Sequence, residues 1–159
     1  MITKTIYVPQ HRWTFRVYVP LSCYWTGEII RHLWRLGASD EILYEAANNM
    51  QCGKLDNGLT YTSEKDRETL MVVGQATSAV ELFNSVVHEI DHACMFTFPH
   101  IGIEPGTEEA AYFKGGLARE IFPMVQPYLC ECCRKKEALK PPFCRENGPK
   151  YQLFSPTLS

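Results

Sequence analysis

Long apolar runs are missing from this 159-residue sequence. No stretch approaches the roughly 18 apolar residues of a membrane span, and the start, from Met1 to Val8, lacks the apolar core of a secretory signal. An excess of charge of either sign is also missing, because 16 Lys and Arg face 18 Asp and Glu, a net charge of −2. We therefore expect a cytoplasmic protein whose partners are neither membranes nor nucleic acids.

No shift in composition divides the chain. Hydrophobic residues make up 45% and aromatic residues 12% of it, enough for one substantial core. Four of the ten prolines fall within residues 135–159. We expect one domain over residues 1–134 followed by a loop-rich tail over residues 135–159. Nothing in the composition indicates an oligomeric state.

Cysteine is the residue type whose number stands out, with seven in the chain. A disulfide framework is disfavoured in the cytosol. The cluster of Cys130, Cys132 and Cys133, with Cys144 eleven residues later, could hold a second, structural zinc, but its C-x-C-C spacing departs from the usual C-x2–4-C. Packing at a helix end is the alternative for these thiols. Three further thiols are expected to pack as small hydrophobic side chains: Cys23, Cys52 and Cys94.

Local patterns predict an α+β fold. β-Branched and aromatic runs predict four strands: residues 3–8, 14–19, 58–62 and 69–73. Caps followed by apolar periodicity predict four helices, capped by Thr26, Ser39, Ser78 and Thr107. Because these elements do not alternate as βαβ units, we expect a small, mostly antiparallel sheet packed on helices. The strand at residues 69–73 is expected to offer an exposed edge that binds an extended peptide by strand addition.

The third predicted helix has clear boundary signals. Ser78 and Glu81 form a capping-box pattern, and Pro99 and Gly102 are expected to end the helix. Its apolar residues recur every three or four positions and predict one buried stripe: Val80, Phe83, Val87, Ile90 and Cys94.

Residues 88–92 read His-Glu-Ile-Asp-His, an H-E-x-x-H motif within this helix. Residues four apart share a helix face, so His88 and His92 can bind one metal ion, with nitrogens within ~4 Å of each other when no metal is bound. Glu89 lies beside them, close enough to reach a water on the metal. Two His and a neighbouring Glu are the minimum equipment of a zinc hydrolase.

A catalytic zinc site needs a third protein ligand. The metzincin pattern is excluded, because Met95 and Phe98 occupy the positions of its Gly and third His. The remaining candidates are His100, Glu108 and Glu109. A Glu on a second helix packed against the first would complete a His2Glu ligand set.

The motif together with the segment Gly106–Gly115 resembles small zincin-type metallopeptidases of phages and mobile elements. In those proteins a second helix begins with an acidic residue and continues into an Ala-Tyr-Leu-x-Gly-like run. The resemblance covers residues 55–133 and implies a minimal gluzincin-like, zincin-like fold with H-E-x-x-H on a central helix. It also implies that Glu108 is the third ligand, because Tyr112 follows it by four residues.

These features predict a zinc-dependent hydrolase, and more specifically a metallopeptidase acting on a peptide or protein. His88, His92 and Glu108 would bind Zn²⁺, and Glu89 would act as general base. Tyr112 would either donate a hydrogen bond to the oxyanion or pack in the core.

Asp91 departs from the family pattern, in which both central positions of the motif are usually uncharged. It could orient an imidazole. The alternative is a catalytically silent binding or inhibitory module of a phage or mobile element. In that module the metal would be structural, closed by a fourth protein ligand such as His100.

Overall fold

The computed structural model describes residues 2–21, 25–51, 58–76 and 78–129. Four strands and four helices occur in this part of the chain, which confirms the α+β class. In chain order they are β1 (Ile2–Val8), β2 (Trp13–Leu21), α1 (Thr26–Arg35), α2 (Asp40–Gln51), β3 (Gly58–Ser63), β4 (Glu68–Gly74), α3 (Ala79–Ile101) and α4 (Glu108–Leu129). Outside the described residues lie the predicted tail, the cysteine cluster at positions 130–144, Cys23 and Cys52.

The four strands form one sheet in the order β1-β2-β4-β3. Two hairpins, β1–β2 and β3–β4, are antiparallel, and the central pair β2–β4 is parallel. Each hairpin turn contains a residue in the left-handed region, Arg12 at φ 49° and Arg67 at φ 51°. The parallel central pair needs a crossover connection, and α1 and α2 lie in it.

Helices cover both faces of the sheet. On β2, Phe15 and Val17 pack with residues of α3 and α4, whereas Tyr18 packs with residues of α1 and α2. On β4, Met71 packs on the side of α3 and α4, and Leu70 packs on the side of α1 and α2. Because successive side chains of a strand point to opposite faces, a strand covered on both sides is mostly apolar, as residues 70–73 of β4 are.

Strand β4 is therefore interior, and the expectation of an exposed edge at residues 69–73 is wrong. All seven residues of β4 are buried, and the strand pairs with β2 on one side and β3 on the other. The edge strand beside α3 is β3, whose first five residues are only half-buried.

Helix α3 begins as predicted. The Ser78 hydroxyl accepts a hydrogen bond from the Glu81 backbone N–H at 3.1 Å. The predicted stripe is only partly right, because Ile90 and Cys94 are buried while three of its members are exposed: Val80, Phe83 and Val87. The buried face instead includes three residues one position away, Leu82, Val86 and Ala93, and it continues from Cys94 to Phe98.

Of the two residues predicted to end α3, Gly102 does so and Pro99 does not. The helix continues through Pro99 to Ile101. It ends at Gly102, which has φ 75° and donates its N–H to the Phe98 carbonyl at 3.0 Å. A left-handed Gly at this position is a common helix C-cap.

Helix α4 also begins as predicted, since the Thr107 hydroxyl accepts from the Ala110 N–H at 3.2 Å. It continues through Pro123 and Pro127 to Leu129. Within the described ranges, no helix is long and apolar enough to cross a membrane.

Candidate metal centre

His88 and His92 converge on α3. Their Nε2 atoms are 3.0 Å apart, and their ring centroids are 4.5 Å apart with planes at 83°. This confirms the prediction that the nitrogens lie within 4 Å of each other. The helix itself brings the rings together, because residues four apart lie one above the other.

The donor pair fits a zinc ion. Zinc–nitrogen bonds of ~2.0–2.1 Å at a tetrahedral angle place two ligand nitrogens roughly 3.3 Å apart. The observed separation of 3.0 Å is close to this value, so a small ring rotation suffices. His88 is exposed and His92 half-buried, so the pair can be reached from solvent.

Phe96 holds the ring of His92 from the next helical turn. The two rings stack with centroids 5.4 Å apart and planes at 22°. Phe96 itself is 46% exposed. The stacking restricts the rotation of His92 about its side-chain bonds, and so favours the orientation that faces His88.

Glu89 points towards the sheet. Only 3% of its surface is exposed, and its Oε2 accepts a hydrogen bond of 2.7 Å from the Thr60 hydroxyl on β3. A hydrogen bond to a charged acceptor is among the stronger ones in proteins. Thr60 therefore fixes the carboxylate of Glu89 against the edge strand.

Gly58 makes room for this arrangement. A Cβ at position 58 would lie 2.4 Å from the Val72 carbonyl oxygen, and 2.7 and 2.8 Å from Cγ and Cδ of Glu89. Any side chain here would collide with the carboxyl group of Glu89. Sequence reasoning missed both Gly58 and Thr60, although a Gly in a strand is a known sign of close approach by another group.

Asp91 does not contact the imidazoles. Its carboxylate forms an ion pair with Lys114 on α4. Asp91 therefore does not orient a histidine ring, and its ion pair instead links α3 to α4.

Glu108 and Glu109 lie at the exposed start of α4. The chain beyond His92 stays helical as far as Ile101. Nine residues of helix carry the chain about 14 Å beyond His92 before it turns.

The contacts between α3 and α4 also show that Glu108 lies away from His92 along the helix axis. Asp91 lies opposite Lys114, and the ring of Phe98 lies 5.5 Å from that of Phe113. Glu108 comes six residues before Lys114, about 9 Å along α4. In the described ranges the structure gathers no group of three His, Cys, Asp or Glu that could hold a metal. It thus brings His88 and His92 together, but not Glu108.

The two other residues considered earlier also lie elsewhere. The ring of His100 stacks on Trp13 with centroids 5.8 Å apart, and its Nδ1 is 3.5 Å from Glu64 Oε2. Tyr112 is 76% exposed, so it does not pack in the core.

A second polar cluster, not expected from the sequence, joins α1 to the sheet. His32 Nε2 lies 2.6 Å from Glu68 Oε1, which also accepts from Arg35 at 2.8 Å and Arg16 at 3.1 Å. The Tyr18 hydroxyl lies 3.1 Å from His32 Nδ1. A neutral His32 that donates from Nε2 and accepts at Nδ1 satisfies both contacts.

Burial and neighbouring charged groups act in opposite directions on the pKa values of His32 and Glu68. Burial lowers the pKa of His32, although the hydrogen bond and charge of Glu68 act against it. Burial would raise the pKa of Glu68, but hydrogen bonds from His32 and Arg16 and the charges of both arginines outweigh it, so this pKa is lowered. Both nitrogens of His32 are engaged, so the cluster stabilises the contact between α1 and the sheet.

Comparisons of the chain with family models, curated proteins and solved structures gave no match. The resemblance to zincin-type proteins therefore stays a prediction.

Proposed function

We propose that the chain is a zinc-dependent hydrolase, and more specifically a metallopeptidase. His88 and His92 would hold the zinc, and Glu89 would act as general base. The observation that carries the proposal is the 3.0 Å convergence of the two imidazole nitrogens, and it is supported by the fixed carboxylate of Glu89, the residue that follows His88 in the sequence.

Zinc held by this pair would polarise a scissile carbonyl and acidify the attacking water. Glu89 would take the proton from the attacking water and return it to the leaving amine. The Thr60 hydroxyl engages Oε2 of Glu89, so the Oε1 atom remains for the proton. Fixing the carboxylate in advance reduces the reorganisation needed at the moment of reaction.

The geometry of β3 supports a peptide as substrate. β3 is an edge strand, and it carries the two residues that contact Glu89, Gly58 and Thr60. An edge strand offers backbone N–H and C=O groups to an extended chain. A peptide added to β3 would therefore run past the general base.

The third ligand is tested by metal content. Glu108→Ala lowers zinc occupancy if the start of α4 closes towards His92 when metal binds, whereas Glu109→Ala leaves it unchanged. Loss of zinc in His100→Ala instead would move the ligand to His100. Full occupancy in all three variants would exclude these residues.

The alternative is a binding module without catalysis. A separation of 3.0 Å is also a normal hydrogen-bond distance between two neutral imidazoles. The pair could then stabilise α3 with no hydrolytic role.

The Glu89→Gln variant separates the two proposals. The substitution keeps size and hydrogen bonding but removes the base, so we expect zinc content to stay normal while turnover falls by ~10²–10⁴-fold. The assay is cleavage of fluorescently labelled casein and of a mixed peptide library by zinc-loaded protein. Glu109→Gln, an exposed acid on α4, is the matched control.

Unchanged turnover in Glu89→Gln would contradict the role of Glu89. No cleavage by the zinc-loaded wild-type chain would contradict the hydrolase proposal and favour the binding module.

A further inference from the structure

A groove lies between the edge strand β1 and helix α4. Its volume is about 410 Å³, within the range of ligand pockets in proteins, ~300–1,000 Å³. Residues 5–9, at the end of β1, line one side. Because successive residues of a strand point to opposite faces, a groove lined by consecutive residues follows the edge of the strand. We call this space the β1–α4 groove.

The floor of the β1–α4 groove is apolar. Three buried side chains of the main core line it: Phe15, Phe113 and Leu117. Gly116 on α4 also lines the groove, and its lack of a side chain leaves space between the helix and the strand. An apolar side chain that enters the groove would therefore extend the core.

The backbone of β1 is free on its outer side among the described residues. β1 is first in the order of strands, and its seven residues pair with β2 in one continuous register. Proteins usually protect such an edge with a Pro, a bulge or a Lys. Residues 2–8 contain no Pro, and Lys4 turns towards α4, where its Nζ donates to the Glu120 carbonyl at 2.7 Å and to Oε2 at 2.8 Å. The edge is therefore available for strand pairing.

The charges around the groove favour an acidic group at one end. Residues 2–21 contain three cations and no Asp or Glu: Lys4, Arg12 and Arg16. Lys4 pairs with Glu120, and Arg16 pairs with Glu68. Arg12 is exposed three residues beyond Pro9, which lines the end of the groove. An acidic residue at this end of a bound segment would complement Arg12.

We propose that the β1–α4 groove binds an extended peptide segment of a partner protein, which adds to β1 as a further strand. The backbone of the segment pairs with β1, and alternate apolar side chains enter the groove over Phe113 and Leu117. An extended chain uses both the free backbone and the apolar floor. The other edge strand, β3, which contacts Glu89, lies three strand spacings away, about 14 Å. The inference therefore depends on neither zinc nor hydrolysis.

A defined peptide tests the proposal on the full chain. The probe is fluorescein-labelled Asp-Thr-Val-Thr-Phe-Thr-Val-Thr-Asp, whose Val and Phe side chains share one face of a strand. Affinity is measured by fluorescence polarisation, and the site by shifts of the backbone amide NMR signals. We expect saturable binding with the largest shifts in β1 and at Gly116. Ser in place of the Phe in the probe is expected to weaken binding at least about tenfold.

Methylation of the probe's backbone separates strand pairing from simple apolar contact. Two versions are compared, each N-methylated on one of the two alternate sets of amides. Only one set faces β1 in an added strand, so we expect the two affinities to differ by at least about tenfold.

A filled groove gives an independent measurement. Gly116→Leu places an apolar side chain in the groove, and we expect it to weaken binding of the probe at least about tenfold. Gly115→Leu is the matched control, because Gly115 is exposed and a Cβ there meets nothing within 4 Å. Its affinity is expected to equal that of the wild type. Circular dichroism checks that both variants are folded.

Several outcomes would overturn the proposal. They are no saturable binding, equal affinity of the two methylated probes, and unchanged affinity in folded Gly116→Leu. Shifts confined to β3 would assign the peptide to the edge beside Glu89. Backbone contacts of β1 with a second copy, or with residues 130–159 of its own chain, would assign the edge to that occupant instead.

Discussion

Replacing Gly58 with Ala is a sharp test of the contact between Glu89 and the sheet. The added methyl group would lie 2.4 Å from the Val72 carbonyl oxygen and 2.7 Å from Glu89 Cγ. Both distances are far below normal van der Waals contact. The Val72 carbonyl belongs to β4, which is buried along its whole length and cannot shift without disturbing the sheet.

Both the Glu89 side chain and the backbone of β3 at position 58 must therefore move, and the move has a calculable cost. Overpacking costs ~1–3 kcal/mol. Displacing the carboxylate also breaks the 2.7 Å bond from Thr60, and a hydrogen bond to a charged group contributes about 1.5–3 kcal/mol. Allowing for partial relaxation, we expect a loss of about 3 kcal/mol. For a chain of this size that corresponds to a fall in Tm of roughly 6–12 °C.

The assay is urea and thermal unfolding followed by circular dichroism. Gly115→Ala is the matched control, because a Cβ at that helical position meets nothing within 4 Å. We expect it to stabilise the protein by about 0.5–1 kcal/mol, as Ala does in place of a helical Gly.

A double-mutant cycle assigns the effect to Glu89. Gly58→Ala combined with Glu89→Ala is expected to be less destabilising than the sum of the two single variants, by at least about 0.5 kcal/mol. Wild-type stability in Gly58→Ala, or strict additivity in the cycle, would refute the placement of Glu89 against β3.

Four further predictions concern His32, Glu68, Thr97 and Cys94. Burial lowers the pKa of His32, so as the pH falls His32 is protonated in the unfolded chain before it is protonated in the folded chain. We therefore expect the free energy of unfolding to decrease below pH 6.5. If urea unfolding of His32→Gln shows the same dependence of this free energy on pH as the wild type, the prediction is contradicted. The pKa of Glu68 is also lowered in the folded chain, so its ionised form stabilises the fold. This stabilisation is fully present above pH 4.5 and is lost as the pH falls through the pKa of Glu68 in the folded chain. The buried Thr97 hydroxyl lies 2.7 Å from Thr69 Oγ1, and we expect Thr97→Val to lower the free energy of unfolding by about 1–2 kcal/mol; no loss would exclude a net contribution from this bond. Burial raises the pKa of Cys94 to about 12, so iodoacetamide at pH 8 is expected to spare this thiol in the folded chain and to modify it after unfolding, as read by mass spectrometry.

Features set by nearby residues were predictable from the sequence. The Ser78 cap and the convergence of His88 and His92 involve residues at most four positions apart. Such contacts follow from helix geometry alone. Strand positions and the α+β class followed equally well from local alternation and turn residues.

The buried face of α3 was predicted only in part, because the helix has two overlapping sets of apolar residues. Val80, Phe83 and Val87 have helical spacing, and so do the buried residues Leu82 and Val86. Periodicity identifies both sets. Only the position of the sheet decides which one is buried.

Contacts between distant residues were missed for a related reason. Thr60 and Glu89 are 29 positions apart, and their contact depends on β3 being the edge strand next to α3. Strand order is a property of the whole sheet, which local propensity does not determine. The run of α3 through Pro99 shifted the start of α4, and with it Glu108, away from His92.

Zinc binding is the measurement that tests the account most directly. Metal content by mass spectrometry and calorimetric titration are applied to the wild-type chain, His88→Ala and His92→Ala, with Glu109→Ala as control. We predict one zinc per chain in the wild type and the control, and affinity at least about 100-fold weaker in either histidine variant. A wild-type chain that binds no zinc, or a His88→Ala chain that binds it normally, would contradict the account.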